Sequence, residues 1–519
     1  MILVPSTNIS QTLATEPHNA SETFDIKTIV YSGGALLFAS AVGNGMSYAF
    51  GIYLARTLGA SDFGLYALAL TLFNILTFSV VFGMDNGAIR FISRHLAERQ
   101  PDKARATLLT TLAIAFGTGL LAAIILAVSA KALAVNLYGK PALVTSLLFF
   151  AAAVPFATVA IVLLSSLQAY QTVRYTILIK YLWEPVAKFV LSAAALWAGY
   201  QLIGVLSAIV FTLVASAALA LHAAWRVAFE HSITRPILHR HEVKELLSYC
   251  FPLAISNLFG VVAPRSDILI LGYWTNSQEV GIYLAAFQTA AVMSLVLGAF
   301  NTALAPIIGR AWSQQDGCRV KESYQAVSRI SATVSLPIFC ILIIFTQDIL
   351  SLFGPVFLGG TTVLIILAVG HLFNSGTGSA NTILLMSGHS HLVMTNTVSM
   401  GMALLLATAI AIPLWGMTGA AVAASSTFII TNVLRVFQVW KLHRLQPYTW
   451  SLIKPSTAAV VSCGVVLIAQ QAGDVFPRPF LALILGVTYL WILVLLGMHE
   501  EDRLLLQTLR GKIKSILPA

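Results

Sequence analysis

Charge is what this sequence has least of. Of its 519 residues only 10% are Asp, Glu, Lys or Arg, against about 25% in a typical soluble domain, so the chain cannot cover a water-facing surface. Cysteine is also sparse. Cys250, Cys318, Cys340 and Cys463 lie far apart in sequence with no CxxC or ligand-like spacing, so neither a disulfide framework nor a thiolate metal site is indicated. The sequence contains no HExxH, no Gly-rich phosphate loop and no nucleophile elbow, so the reactions those motifs serve have no home here. Any ATP coupling would have to come from another subunit, and neither enzymatic activity nor a cofactor is expected. The longest polar stretches, about 85 to 105 and 226 to 247, are too short to fold as domains. Residues 1 to 27 lack the basic start and short apolar core of a cleavable signal, and read as a cytoplasmic tail.

What is abundant is apolar residue. They make up 58% of the chain, with mean hydropathy +0.85, in runs of roughly 20, the length that crosses a hydrocarbon core of about 30 Å. Polar breaks divide them into fourteen candidate spans, at about 28–57, 62–84, 106–129, 143–170, 176–198, 201–225, 248–274, 279–309, 325–347, 360–387, 391–415, 417–440, 452–472 and 478–498. With the N-terminus inside, 24 of the 30 Lys and Arg fall in cytoplasmic segments, as the positive-inside rule requires. The outside segments hold only Arg56, Lys131, Lys140 and Arg478. A missed span would invert every later loop, so the alternation supports the count and places both termini in the cytoplasm. The net charge of +10 is thereby explained by topology and lipid headgroups, with no role for nucleic acid.

Self-similarity divides the spans further. Leu58-Gly-Ala-Ser-Asp-Phe-Gly-Leu-Tyr66 is echoed by Thr275-Asn-Ser-Gln-Glu-Val-Gly-Ile-Tyr283, pairing Gly64 with Gly281 and Tyr66 with Tyr283, and Gly204 is echoed by Gly419 at a similar offset. Six spans per repeat insert in the same sense, giving two parallel lobes that can rock about a central cavity. The expected fold is therefore an all-α polytopic membrane protein: tail 1–27, N-lobe 28–230, C-lobe 248–440, two extra helices at 452–498, and a cytoplasmic tail 499–519.

With that organisation, the chain resembles the polysaccharide transporter, or oligosaccharide flippase, branch of the multidrug/oligosaccharidyl-lipid/polysaccharide exporter superfamily. The resemblance rests on Leu58–Tyr66, on Phe82-Gly-Met-Asp-Asn-Gly-Ala-Ile-Arg-Phe-Ile92 and on Trp415-Gly-Met-Thr-Gly-Ala-Ala421. It implies a V-shaped cavity between the lobes, inward-open and outward-open in turn, and an undecaprenyl-diphosphate-linked sugar as substrate. Polymerase and assembly machinery are implied as partners. A lipid II flippase and a multidrug/cation antiporter are the alternatives within transport, although the antiporters usually have twelve spans. A proton-pumping respiratory subunit would need mid-membrane lysines in the later spans, and those are absent.

Charges within spans are costly and therefore candidate contacts. In the fifth span Lys180, Glu184 and Lys188 follow at i,i+4, which on an α-helix sets all three on one face, either as a self-neutralising ladder or as a cationic cavity wall; Pro185 is expected to kink the helix beside them. In the seventh, Arg265 and Asp267 point too far apart to pair, so each needs a partner elsewhere. Arg265 is the leading candidate for substrate phosphate, which its guanidinium can grip bidentately, with an interlobe salt bridge as the other reading. Asn44, Asn374 and Asn381, in segments rich in small residues, serve either close helix packing or a hydrated cavity. Arg90, in the motif leaving the second span, completes the candidate set.

Overall fold

The structure, a computed structural model, describes residues 18–229, 240–471 and 477–497, with most side chains from Phe38 onward. The helices are α1 (His18–Val80), α2 (Met84–Ala97), α3 (Pro101–Lys131), α4 (Leu143–Ala169), α5 (Val173–Thr176), α6 (Glu184–Trp197), α7 (Gln201–Phe229), α8 (Arg240–Val262), α9 (Ser266–Trp274), α10 (Ser277–Ser313), α11 (Gly317–Ile344), α12 (Thr346–Ser351), α13 (Thr361–Gly376), α14 (Ala380–Met386), α15 (Ser390–His443), α16 (Ile453–Gln471) and α17 (Arg478–Leu495). No strand occurs among the described residues. Nine helices there are long and apolar enough to cross a membrane. Two of the longest are bent double. α1 breaks at Gly59 (φ 79°) and α15 at Gly416 (φ 55°), positive-φ positions that glycine adopts without steric cost.

Lipid is the solvent these helices are built for. Phe116, Leu120, Leu121, Ile124, Ile125 and Val128 are exposed along α3, an apolar surface that water would not tolerate. Exposed Trp197, Tyr200, Tyr273, Trp274 and Trp415 gather at one set of helix ends, and Trp225, Trp440 and Trp450 at the other, as amphipathic rings do at two membrane interfaces. The second set lies at the ends bearing most Lys and Arg, called here the basic end.

Packing at the two ends differs. Away from the basic end one apolar core draws Phe63, Phe150 and Leu206 from the first half of the chain together with Tyr283, Phe357 and Leu364 from the second. Toward the basic end the core divides: Ile92, Leu163 and Ala224 belong to a cluster of first-half residues, and Ile308, Tyr324 and Ile383 to one of second-half residues. The halves are thus fused at one end and part toward the other. α8 bridges the basic end on one flank, setting Leu246 and Cys250 against Met84 and Phe91, with Lys103–Glu242 (3.0 Å) and Arg94–Glu245 (2.8 Å) ion pairs at its rim. There the Arg94 guanidinium holds the Glu245 carboxyl below its ordinary pKa. α16 and α17 pack on each other and on α11. Pro337 lacks the N–H that would bond to the Thr333 carbonyl four residues earlier, and the Tyr489 hydroxyl of α17 donates to that carbonyl instead (2.7 Å).

Candidate functional site

The most polar break in a span is Ala263-Pro264-Arg265. Pro264 cannot donate to the helix ladder, and the chain passes through a 3-10 turn there before α9 restarts at Ser266. α8 and α9 each pack against both α1 and α15, so the break lies between the two halves. Asp267 is 1% exposed. Its Oδ1 accepts from the Ile268 amide (2.7 Å) and its Oδ2 from the Tyr283 hydroxyl of α10 (2.5 Å). The repeated tyrosine is thus the partner the sequence could not name, and Arg265 is left out of the arrangement. Partly buried, Arg265 forms no hydrogen bond or ion pair among the described residues. Asp267 thus acts on this half-buried guanidinium through space, and no carboxylate is bonded to it among the described residues.

The charges of the fifth span depart from expectation. Ile177–Trp183 is a π-helix, whose i→i+5 bonding breaks the stacking on which a three-rung ladder depends. Glu184 and Lys188, on the α-helical side, pair at 3.2 Å. Lys180, on the π turn, is exposed and makes no ion pair among the described residues, so the single-face ladder is corrected to one pair and one separate cation. Pro185 opens α6 and cannot bond to the Tyr181 carbonyl. That carbonyl lies against Gly43 of α1, where a Cβ would stand 2.7 Å from it.

The remaining candidates are dispersed. Asn44 is exposed, one turn from Tyr48, whose hydroxyl bonds Thr289 of α10 (2.9 Å) and whose ring meets Phe353; it therefore shares the face of α1 turned to the second half. Asn374 accepts from Asn432 Nδ2 (3.0 Å), joining α13 to α15, and the Asn381 Oδ1 is buried without a partner. Arg90 stacks on the Tyr249 ring of α8 at 4.2 Å, a cation–π contact at the basic end.

At the opposite end the two echoed motifs touch. A Cβ on Gly64 would land on the Ser277 carbonyl and 3.0 Å from the Gly281 nitrogen, while one on Gly281 would land on the Ala60 carbonyl and 3.1 Å from the Gly64 nitrogen. The backbones cross at glycine on both sides. Lys140 of the loop before α4 reinforces this closure, donating to the carbonyls of Gly272 (2.5 Å), Thr275 (2.8 Å) and Tyr138 (3.3 Å). A cation at a helix C-terminus is worth about 0.3 to 2 kcal/mol, and this one comes from the first half to the end of α9 in the second. Lys140→Met is therefore expected to speed labelling of a lone thiol placed at Ser277 by several-fold; an unchanged rate would show that the ammonium holds nothing shut.

The sequence profile of the polysaccharide biosynthesis protein family matches residues 53–358, more than half of the chain. The chain belongs to this family. Among relatives of this polysaccharide biosynthesis protein, a probable low-salt glycan biosynthesis flippase of Haloferax volcanii is 25% identical over 411 residues, 77% of this chain and 81% of that one. The fold is that of the multidrug/oligosaccharidyl-lipid/polysaccharide exporter superfamily. A lipid II flippase in an inward closed conformation superposes with TM-score 0.68 at 14% identity, over 91% of this chain and 97% of its own. An inward-facing multidrug resistance transporter gives 0.67 at 14% identity, over 79% and 98%.

Sequence reading of this family member missed Tyr283, Lys140 and the contact between Gly64 and Gly281. The paired glycines were visible as an echo, but an echo reports common descent, and only the fold reveals that the two copies meet.

Proposed function

We propose that this chain is a flippase that carries an undecaprenyl-diphosphate-linked oligosaccharide from the cytoplasmic to the outer leaflet of the plasma membrane, for surface polysaccharide synthesis. In this reading the basic end faces the cytoplasm, as do both termini. Fourteen spans form two six-helix lobes, 28–230 and 248–440, with helices at 452–498 appended. The observation that carries it is Arg265, a cation with no hydrogen-bonded partner among the described residues, at a broken helix between the halves of a chain from a polysaccharide biosynthesis family. The name of the Haloferax relative, a probable glycan biosynthesis flippase, supports a glycan as the cargo.

Diphosphate and sugar would lose hydrogen bonds at several kcal/mol each in hydrocarbon. A cleft offering Arg265, the amide of Asn44 and the cation Lys180 replaces that hydration while the prenyl tail stays in lipid. Glu184, Lys188, Asp267, Asn374 and Arg90 then shape the cleft walls through the pairs described above, and Asn381 adds a buried amide to them. Separate cores at the basic end and a glycine crossing at the other support an inward-facing state, and parting of that crossing would expose the cargo outside. An interior-negative potential favours outward movement of each phosphate charge by about 2.3 kcal/mol per 100 mV. Polymerase and assembly proteins would then take up the delivered glycan.

Purified protein in liposomes should accelerate movement of a fluorescent undecaprenyl-diphosphate-linked oligosaccharide between leaflets, read by quencher or lectin access. No acceleration over protein-free liposomes would reject the assignment. A lipid II flippase is the second reading, favoured by the 91% coverage of the chain in that superposition; preferential movement of lipid II in the same assay would decide for it.

A further inference from the structure

α11 and α13 run antiparallel in the second half and touch where Gly378, just beyond α13, meets Ser328, a Cβ there standing 3.1 Å from the Ser328 Cα. Helical register carried away from that contact in opposite directions brings Ser331 level with Ser375 and Ser335 level with His371. All five polar side chains are at most 4% exposed. Serine in a membrane helix ordinarily bonds back to the carbonyl four residues earlier, as Ser328 does to Tyr324 (2.8 Å). Ser331, Ser335 and Ser375 do not: among the described residues each Oγ is buried without a hydrogen-bond partner, and so is His371 Nε2. Four unpartnered polar atoms on facing rungs of one seam exceed what small-residue packing explains, since each costs free energy unless a water or an ion completes it.

We propose that this seam is a proton-binding water file, separate from the cleft between the halves, with His371 as its inner terminus. The file's mouth lies toward the basic end, where the Tyr324 hydroxyl donates to the Thr377 carbonyl (3.3 Å) and Ser379 Oγ is likewise buried and unpartnered. At the inner terminus His371 Nδ1 is bonded to Ser294 of α10 (2.7 Å), so in either tautomer Nε2 is the nitrogen that faces no protein partner. When Nδ1–H donates to Ser294, the Nε2 lone pair takes a proton from the last water and the imidazolium keeps both hydrogens. Around the ring α10 presents Ser294 and Phe287, α15 presents Phe428, and the helical register presents Ser335 from α11. No carboxylate, Lys or Arg acts electrostatically on it among the described residues. Arg329, the charged residue buried on α11, is six positions from Ser335, on the order of two turns away. A proton here is thus answered by hydroxyls and aromatic faces alone, so the waters of the file must offset the cost of burying the imidazolium.

The test needs no transport assay, so it stands or falls apart from the flippase reading. Full-length protein in bilayers is footprinted with radiolytic hydroxyl radicals, and its histidine rings are followed by ¹⁵N NMR from neutral to acidic pH. The expected result is strong labelling at His371 despite its burial, an imidazolium signal on acidification, and loss of both in Ser331→Val/Ser375→Val, whose methyl groups fill the file. Ser331→Ala/Ser375→Ala, which removes hydroxyls without adding bulk, should weaken both should the valine variant fail to assemble. An unlabelled His371 that stays neutral would overturn the proposal. So would an NMR response to exchange of Na⁺ for K⁺ at fixed pH, which would identify a metal cation in place of the proton.

Discussion

Gly64→Ala is expected to abolish glycan export while leaving the chain in the membrane. The added methyl would meet the Ser277 carbonyl, and backbone cannot swing aside as a flexible side chain would. Neighbouring Phe63 and Tyr283 are 0% exposed and part of the core shared by both halves, so the helices have no slack to separate locally. Overpacking a tight core costs about 1 to 3 kcal/mol per site. Gly281→Ala should act alike, because its methyl would meet the Ala60 carbonyl on the other side of the same crossing. Since that crossing holds one end closed, either variant should rest with that end open, raising thiol access at Ser277 together with the loss of export. Gly117→Ala is the control. A Cβ there meets nothing within 4 Å on α3, and alanine in a helix interior is favoured over glycine by roughly 0.5 to 1 kcal/mol, so export should persist. Normal export with normal abundance in Gly64→Ala would remove the crossing from the transport cycle.

Much of the architecture was legible because lipid imposes coarse rules. A run of apolar residues long enough to span, a basic bias in alternate loops and a repeated motif survive without knowledge of any contact. The site was less legible, and the reasons are particular. Lys180, Glu184 and Lys188 form a ladder only if the helix keeps i→i+4 bonding, and the π segment Ile177–Trp183 is not written in hydropathy. That Arg265 and Asp267 would not pair followed from helical geometry, but that Tyr283 would claim Asp267 required the fold. Asn374 meets Asn432 across 58 positions of sequence, beyond the reach of any local pattern. In the segment Asn374–Asn381 the small residues read first as packing and otherwise as a wet surface; the structure divides them, with Gly378 making the helix contact and Ser375 and Ser379 left unpartnered among the described residues.

Arg265→Ala should cost transport more than any other single side-chain truncation in the cleft. The argument begins with what the variant leaves intact. Asp267 keeps both of its hydrogen bonds, to Ile268 and Tyr283, and the 3-10 turn is set by Pro264, so removing the guanidinium breaks no hydrogen bond or ion pair among the described residues and folding should be spared. On the proposed function, what would be lost is a charge-assisted, two-pronged grip on phosphate. Hydrogen bonds to charged groups contribute about 1.5 to 3 kcal/mol, equivalent to roughly 10-fold to 150-fold in the apparent affinity for the lipid diphosphate. Arg265→Lys retains the charge as a compact ammonium without the planar fork and should fall between wild type and alanine. If Arg265 instead served only to balance a charge in the protein, lysine would restore full transport and alanine would lower the amount of folded protein. Concentration dependence of leaflet exchange in liposomes separates the outcomes: a raised half-saturation in both variants, graded Ala above Lys, fits phosphate contact, and alanine within twofold of wild type rules it out.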